Sequence, residues 1–339
     1  MKKKIISLVL ASLMAVAAFA GCSNSSSGSS ETTTEAAKEK TKITFVLDWT
    51  PNTNHTGLYV AQEKGYFDEA NLEVEIVQPP EDGAEALVGS GKAQFCVSFQ
   101  DSMLPAIVGE NAMPVEAVAA LIQHNTSGIL SRKGDGIDTP KGLEGKKYAT
   151  WDLPIELATL KQVVTDDDGD FNKVELIPST VTDEASALST KSVDAIWVFY
   201  GWGAIATDLA GVATDYFAFK DINPVFDYYT PVVLGNTDWM KQNPDAAKAF
   251  LSALKMGYEY AIDNPDAAAD ILLKAVPELD EKLVKKSQSY LSTQYKAEVS
   301  QWGYIDAKRW NAFYNWINEN KLCEDDIPEN HGFTNEYLS

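Results

Sequence analysis

Apolar residues run through Ile43 to Leu47, and Leu72, Val74 and Ile76 alternate with glutamates across Leu72 to Val77, the period of two expected of strands. Between them, Gly57-Leu58-Tyr59-Val60-Ala61 opens a predicted helix that stops near Gly65. The alternation of strand and helix continues through Glu85 to Gly89, Ala93 to Phe99, Met103 to Val108 and Val115 to Leu121. That order predicts an α/β lobe with a mainly parallel sheet. A turn-rich stretch, Lys133-Gly134-Asp135-Gly136, opens a second series: strands at Lys147 to Thr150, Val174 to Ile177 and Ala195 to Phe199, helices at Ile155 to Thr165 and Ala185 to Thr190. Pro231 to Gly235 reads as a strand leading back out.

Beyond residue 236 the pattern is helical. Asn243-Pro244 and Asn264-Pro265 each place Asn at a helix N-cap and Pro at the first helical position. The aromatics from Trp302 to Trp316 fall at the spacing of a core-facing helix. Helices alone cannot complete an α/β lobe, so they are expected to cover the first sheet. This predicts one lobe from 42–128 and 236–335, and an inserted lobe at 129–235. Two crossing segments, near Gln123 to Ile129 and Pro231 to Asn236, would form the hinge above a cleft.

The first 41 residues behave differently. Lys2, Lys3 and Lys4 precede an apolar run from Ile5 to Ala20 that is shorter than a membrane span, and Gly21-Cys22 follows. Ala20-Gly21-Cys22 resembles a bacterial lipobox, with Phe19 where an aliphatic residue is usual. Residues 1–21 therefore read as a lipoprotein signal peptide and Cys22 as the lipid-bearing first residue of the mature chain. Residues 22–41 are too poor in apolar groups to fold, and read as a disordered tether reaching on the order of 25 Å.

Of the 339 residues, 45% are hydrophobic, enough to fill two domains after the tether. The net charge is −21, and removal of the three signal lysines would make it −24, which excludes nucleic acid and anionic lipid surfaces as partners. Apart from Cys22, only Cys96 and Cys323 remain, too few for a disulfide framework. His55, His124 and His331 stand alone, outside any metal-ligand spacing, and no metal or cofactor site is read.

Asp48-Trp49-Thr50-Pro51-Asn52-Thr53-Asn54-His55-Thr56-Gly57-Leu58-Tyr59, followed by Glu63-Lys64-Gly65-Tyr66-Phe67, resembles the first loop and helix of the thiamine-pyrimidine-precursor binding proteins. That family includes the hydroxymethylpyrimidine phosphate synthases and is similar, more distantly, to the sulfonate, taurine and nitrate binders of ABC importers. The resemblance covers about Ile43 to Asn320 and extends to Lys141 to Lys147 and to Trp151-Asp152-Leu153-Pro154-Ile155-Glu156. It implies a two-lobed periplasmic-binding-protein-like fold of type II. It further implies an extracytoplasmic, lipid-anchored monomer that captures a hydroxymethylpyrimidine or formylaminopyrimidine and hands it to a permease and its ATPase. The alternatives are another small solute such as riboflavin or an alkanesulfonate and, less favoured, a synthase-like enzyme. The synthases use a pyridoxal cofactor and a cysteine-rich motif that this chain does not contain. The second-lobe run Trp197-Val198-Phe199-Tyr200-Gly201-Trp202-Gly203-Ala204 also departs from the formylaminopyrimidine binders, in which Glu closely follows an aromatic pair.

Loops after the carboxyl ends of parallel strands face the cleft in such folds, which nominates Asp48 to Tyr59, Gln100 to Ser102, Trp151 to Glu156 and Tyr200 to Trp202. Trp49 is either a stacking platform or a core plug. Asn52, Asn54 and His55 either bond ring nitrogens or cap the next helix. Tyr200 and Trp202 share a face if the strand persists, and would then sandwich a ring. Glu156 either complements a helix dipole or accepts from a ligand amine. Tyr59, Gln100, Asp101 and Trp151 complete the expected binding set, with no catalytic residue. The only arginines, Arg132 and Arg309, lie outside these loops, against a bidentate clamp for sulfonate.

Overall fold

The computed structural model describes residues 39–81 and 83–338. The expected signal peptide, Cys22 and all but the last residues of the tether lie outside the described residues. Ten strands are present: β1 Thr41–Val46, β2 Leu72–Val77, β3 Phe95–Ser98, β4 Val115–Ala120, β5 Ser127–Arg132, β6 Lys147–Thr150, β7 Glu175–Pro178, β8 Ala195–Phe199, β9 Thr214–Ala218 and β10 Val232–Asn236. They form two five-stranded sheets ordered β2-β1-β3-β10-β4 and β7-β6-β8-β5-β9.

The sheets repeat one plan. In the first, β1 pairs parallel with β2 and β3, while β10 runs antiparallel between β3 and β4. In the second, β6 pairs parallel with β7 and β8, while β5 runs antiparallel between β8 and β9. The sheets are therefore mixed, because each accepts the strand with which the chain arrives from the other lobe. Two boundaries differ from expectation. β10 belongs to the first sheet, not the inserted lobe, and the second sheet begins with β5 at Ser127, not at 129. Every residue of β10 is buried, so no alternation of polar and apolar positions reveals its sheet. β5 and β9 were not read as strands at all.

Helices close over the first sheet. Thr56–Glu63 crosses Pro244–Asp263 at glycines on both sides. A Cβ on Gly257 would lie 2.0 Å from the Gly57 carbonyl oxygen, and one on Gly57 would lie 2.3 Å from the Tyr258 ring. Tyr258 stacks on Trp302 with ring centroids 4.4 Å apart, and its hydroxyl donates to the Asn54 carbonyl at 2.6 Å. The first cleft loop is thus held by buried core. Pro244 and Pro265 open their helices as expected, but Asn243 and Asn264 turn their amides backward, donating to the Trp239 and Tyr260 carbonyls of the preceding helices.

The crossing segments, 121–126 and 219–231, are tied together by polar bonds. Asp227 accepts from the Asn125 N–H at 3.0 Å and contacts His124 Nδ1 at 2.7 Å, while His124 Nε2 meets Glu298 at 2.9 Å. Arg309, on helix Ala307–Glu319, reaches Asp227 at 3.2 Å and lies over the Tyr229 ring. The bond to Asp227, aided by Glu298, raises the His124 pKa against the opposing effect of burial.

Candidate functional site

The loop between β1 and helix Thr56–Glu63 is organised by its own polar groups. His55 is buried, and its Nδ1 accepts from the Asn52 N–H at 3.2 Å, which leaves Nε2–H to donate to Asp48 at 2.7 Å. Asn52 accepts from the Asn54 N–H at 2.9 Å and donates to the Thr50 carbonyl at 3.1 Å. His55 and much of Asn52 therefore serve the loop, as a capping role requires. Trp49 stays 54% exposed, and the Asn54 side-chain amide makes no hydrogen bond among the described residues. Trp49, Asn52 and Asn54 line the cleft, whereas His55 holds Asp48 there.

Glu156 is the centre of a second loop. Its carboxylate accepts from the Tyr148 hydroxyl at 2.7 Å, the Thr150 hydroxyl at 3.1 Å, the Trp151 N–H at 3.1 and 3.2 Å and the Leu153 N–H at 3.3 Å. Its lone pairs are committed to the chain, so the reading of Glu156 as the partner of a ligand amine is corrected: it shapes the loop that carries Trp151. Burial, then the neighbouring Glu156, pushes the Tyr148 hydroxyl well above its ordinary pKa. Trp151 is 43% exposed and packs on Trp197, centroids 5.9 Å apart.

Three other expected contacts lie elsewhere. Gln100 is buried, with its amide donating to the Trp310 carbonyl and accepting from the Tyr229 N–H, each at 2.9 Å, so it joins core segments. Tyr59 faces the cluster around Leu272 and Val284. Tyr200 packs between Tyr216 and Tyr290, at 5.1 and 4.9 Å. The strand ends at Phe199 and Tyr200–Ala204 forms one wide π-type turn, so the period of two is lost and Tyr200 and Trp202 do not share a face. Trp202 alone of the pair lines the cleft.

Trp197 and Phe199, two apart on β8, form the cleft wall in their place, and Phe199 stacks on Phe99 of the first lobe at 6.1 Å. Their alternation along an already predicted strand was the signal available in the sequence. Asp48 lines the cleft at the start of its nominated segment, whereas Glu184 lay outside every nominated segment.

The cleft comprises a cavity of about 320 Å³ and a larger one of about 850 Å³, joined along Phe99, Trp151, Trp197 and Phe199. Asp101 lines the larger one, its carboxyl raised by burial against donation from the Ser102 N–H and the Tyr228 hydroxyl. Four indoles, Trp49, Trp151, Trp197 and Trp202, border the smaller cavity with Asp48 and Glu184. Neither cavity has a lysine or arginine among its described lining residues. An apolar chamber with aromatic walls, an amide and carboxylates suits a flat, donor-rich molecule.

Two α/β lobes joined by two crossing segments above a cleft define the periplasmic-binding-protein class. The alkanesulfonate-binding protein SsuA from Xanthomonas axonopodis pv. citri, bound to MOPS, superposes with a TM-score of 0.65 at 12% identity, over 88% of this chain and 99% of that one. The chain belongs to the NMT1/THI5-like family, whose pattern matches residues 52–268. It is 28% identical to the formylaminopyrimidine-binding protein of Halalkalibacterium halodurans, over 98% of each chain. It is 26% identical to the 4-amino-5-hydroxymethyl-2-methylpyrimidine phosphate synthase THI11 of Saccharomyces cerevisiae, over 88% of each.

Proposed function

We propose that the protein is the solute-binding component of an ABC importer and captures a thiamine pyrimidine precursor, of formylaminopyrimidine or hydroxymethylpyrimidine type, between its lobes. The observation that carries this reading is the smaller cavity, with four indoles, two carboxylates and no basic side chain among its described lining residues. A sulfonate would meet negative charge there without a counter-ion, whereas an aminopyrimidine offers ring faces for stacking and N–H groups for bonding. Similarity to a formylaminopyrimidine-binding protein over nearly the whole chain supports the same choice.

Binding, not catalysis, is the role we assign. His55 is engaged by Asp48 and Asn52, and the polar groups of the first loop act to hold its shape. Capture would work by closure of the lobes about segments 121–126 and 219–231, with the closed monomer docking on a permease and its ATPase. Cys22 would anchor the chain on the outer face of the cell membrane, and a Cys22→Ser variant should then be released into the soluble fraction.

The test is calorimetric titration with 4-amino-5-hydroxymethyl-2-methylpyrimidine, formylaminopyrimidine, riboflavin and taurine. Micromolar or tighter binding of a pyrimidine is expected, equivalent to at least about 8 kcal/mol. Binding of taurine or riboflavin with neither pyrimidine would refute the reading.

A further inference from the structure

The acids around the cleft differ in their partners. Glu156 accepts from Tyr148 and Thr150 of β6 and from the Trp151 and Leu153 N–H groups, Asp48 is held by His55, and Asp101 accepts from Ser102 and Tyr228. Glu110, Glu324 and Asp325 stand exposed at the mouth of the larger cavity. Glu184 is the exception: it is half-buried on the wall of the smaller cavity, and among the described residues only its own backbone N–H, and no side chain, donates to it.

Its placement follows from the fold. The loop after β7 runs along the carboxyl edge of the second sheet, facing the cleft, and ends in helix Glu184–Ser189. Asp183 caps that helix by accepting from the Ser186 N–H at 2.8 Å, which leaves the Glu184 side chain without a capping task. Gly203, in the turn after β8, gives it room. A Cβ on Gly203 would lie 3.1 Å from the Glu184 Oε1 and 3.2 Å from the Val198 Cβ. The turn Tyr200–Ala204 carries no acid of its own, and the carboxylate of a different element lies against its glycine.

We propose that Glu184 is a specificity-determining residue whose carboxylate accepts an N–H bond from the exocyclic amine of the bound heterocycle. This rests on the pyrimidine-precursor reading above and narrows it to amine-bearing rings. A carboxylate withdrawn from water with only its own backbone N–H as donor is under-satisfied, and a ligand N–H removes that deficit. In the free protein, burial holds the Glu184 carboxyl above its usual range, against the pull of its own backbone N–H and with a contribution from Asp183.

The experiment titrates the full-length chain and its Glu184→Gln and Gly203→Ala variants with 4-amino-5-hydroxymethyl-2-methylpyrimidine and with the analogue in which hydrogen replaces the amine. The wild type should prefer the amine by about 10- to 100-fold, the range for a hydrogen bond to a charged group, and Glu184→Gln should lose most of that preference. Gly203→Ala should reduce it too, by crowding the carboxylate while retaining it. The melting temperature of unliganded Glu184→Gln at pH 8 should equal or exceed the wild-type value, because an under-satisfied charge has gone. An unchanged amine preference in Glu184→Gln overturns the proposal but leaves the pyrimidine reading standing. Equal loss for both ligands with a lower melting temperature would make Glu184 structural and also overturn it. A wild type that binds neither pyrimidine removes both.

Discussion

Replacing Glu156 by glutamine separates a loop-shaping carboxylate from a ligand-binding one. The amide keeps the volume but offers one acceptor oxygen for the Tyr148, Thr150, Trp151 and Leu153 donors. The Tyr148 hydroxyl can rotate and accept from the new NH₂, while the remaining oxygen still faces the Thr150 hydroxyl and both backbone N–H groups. The loss is therefore mainly charge assistance: bonds to a charged group contribute about 1.5–3 kcal/mol and neutral ones about 0.5–1.5. Over these bonds, offset by relief of a buried charge, a net destabilisation of about 2 kcal/mol is expected. That corresponds to a fall of about 3 °C in the melting temperature of a chain this size. Scanning calorimetry reads the fall, and titration of the folded variant with the aminopyrimidine should give a dissociation constant within about fivefold of wild type. An unchanged melting temperature with binding abolished would show that the carboxylate faces the ligand, and the loop-shaping account would be wrong.

Trp49→Ala should weaken pyrimidine binding about thirtyfold, or about 2 kcal/mol, with little change in melting temperature because the ring is 54% exposed; full affinity in a folded variant would refute stacking. Gly57→Ala should destabilise by about 3 kcal/mol, since the new methyl would lie 2.3 Å from the ring of Tyr258, itself stacked on Trp302; a variant as stable as wild type in urea unfolding contradicts that packing. The raised His124 pKa predicts that its stabilisation is full below about pH 6.5 and is lost as pH rises through the folded-state value. The melting-temperature gap between wild type and His124→Gln should accordingly be largest near pH 5.5 and shrink toward pH 8, and a gap that widens with pH is incompatible with the Asp227 and Glu298 contacts.

Local periodicity determined much of the fold from the sequence alone. Strands such as Leu72–Val77, Lys147–Thr150 and Ala195–Phe199, and the helices opening at Pro154, Pro244 and Pro265, follow from patterns within a few residues. The cleft loops around Trp49 and Trp151 were legible for the same reason, because strand ends fix where such loops emerge. Tertiary structure alone decided which sheet took β10, since a strand buried on both faces has no pattern that distinguishes one sheet from another. It also decided what each polar side chain does. Gln100 and Glu156 are as polar in sequence as Asn54 and Glu184. Donors from Trp151, Leu153, Tyr148 and Tyr229 converge on the first two and leave the second pair open to the cleft. A hydrogen-bonding group becomes a binding group only when the folded chain leaves it without a partner, and residues distant in sequence supply or withhold that partner.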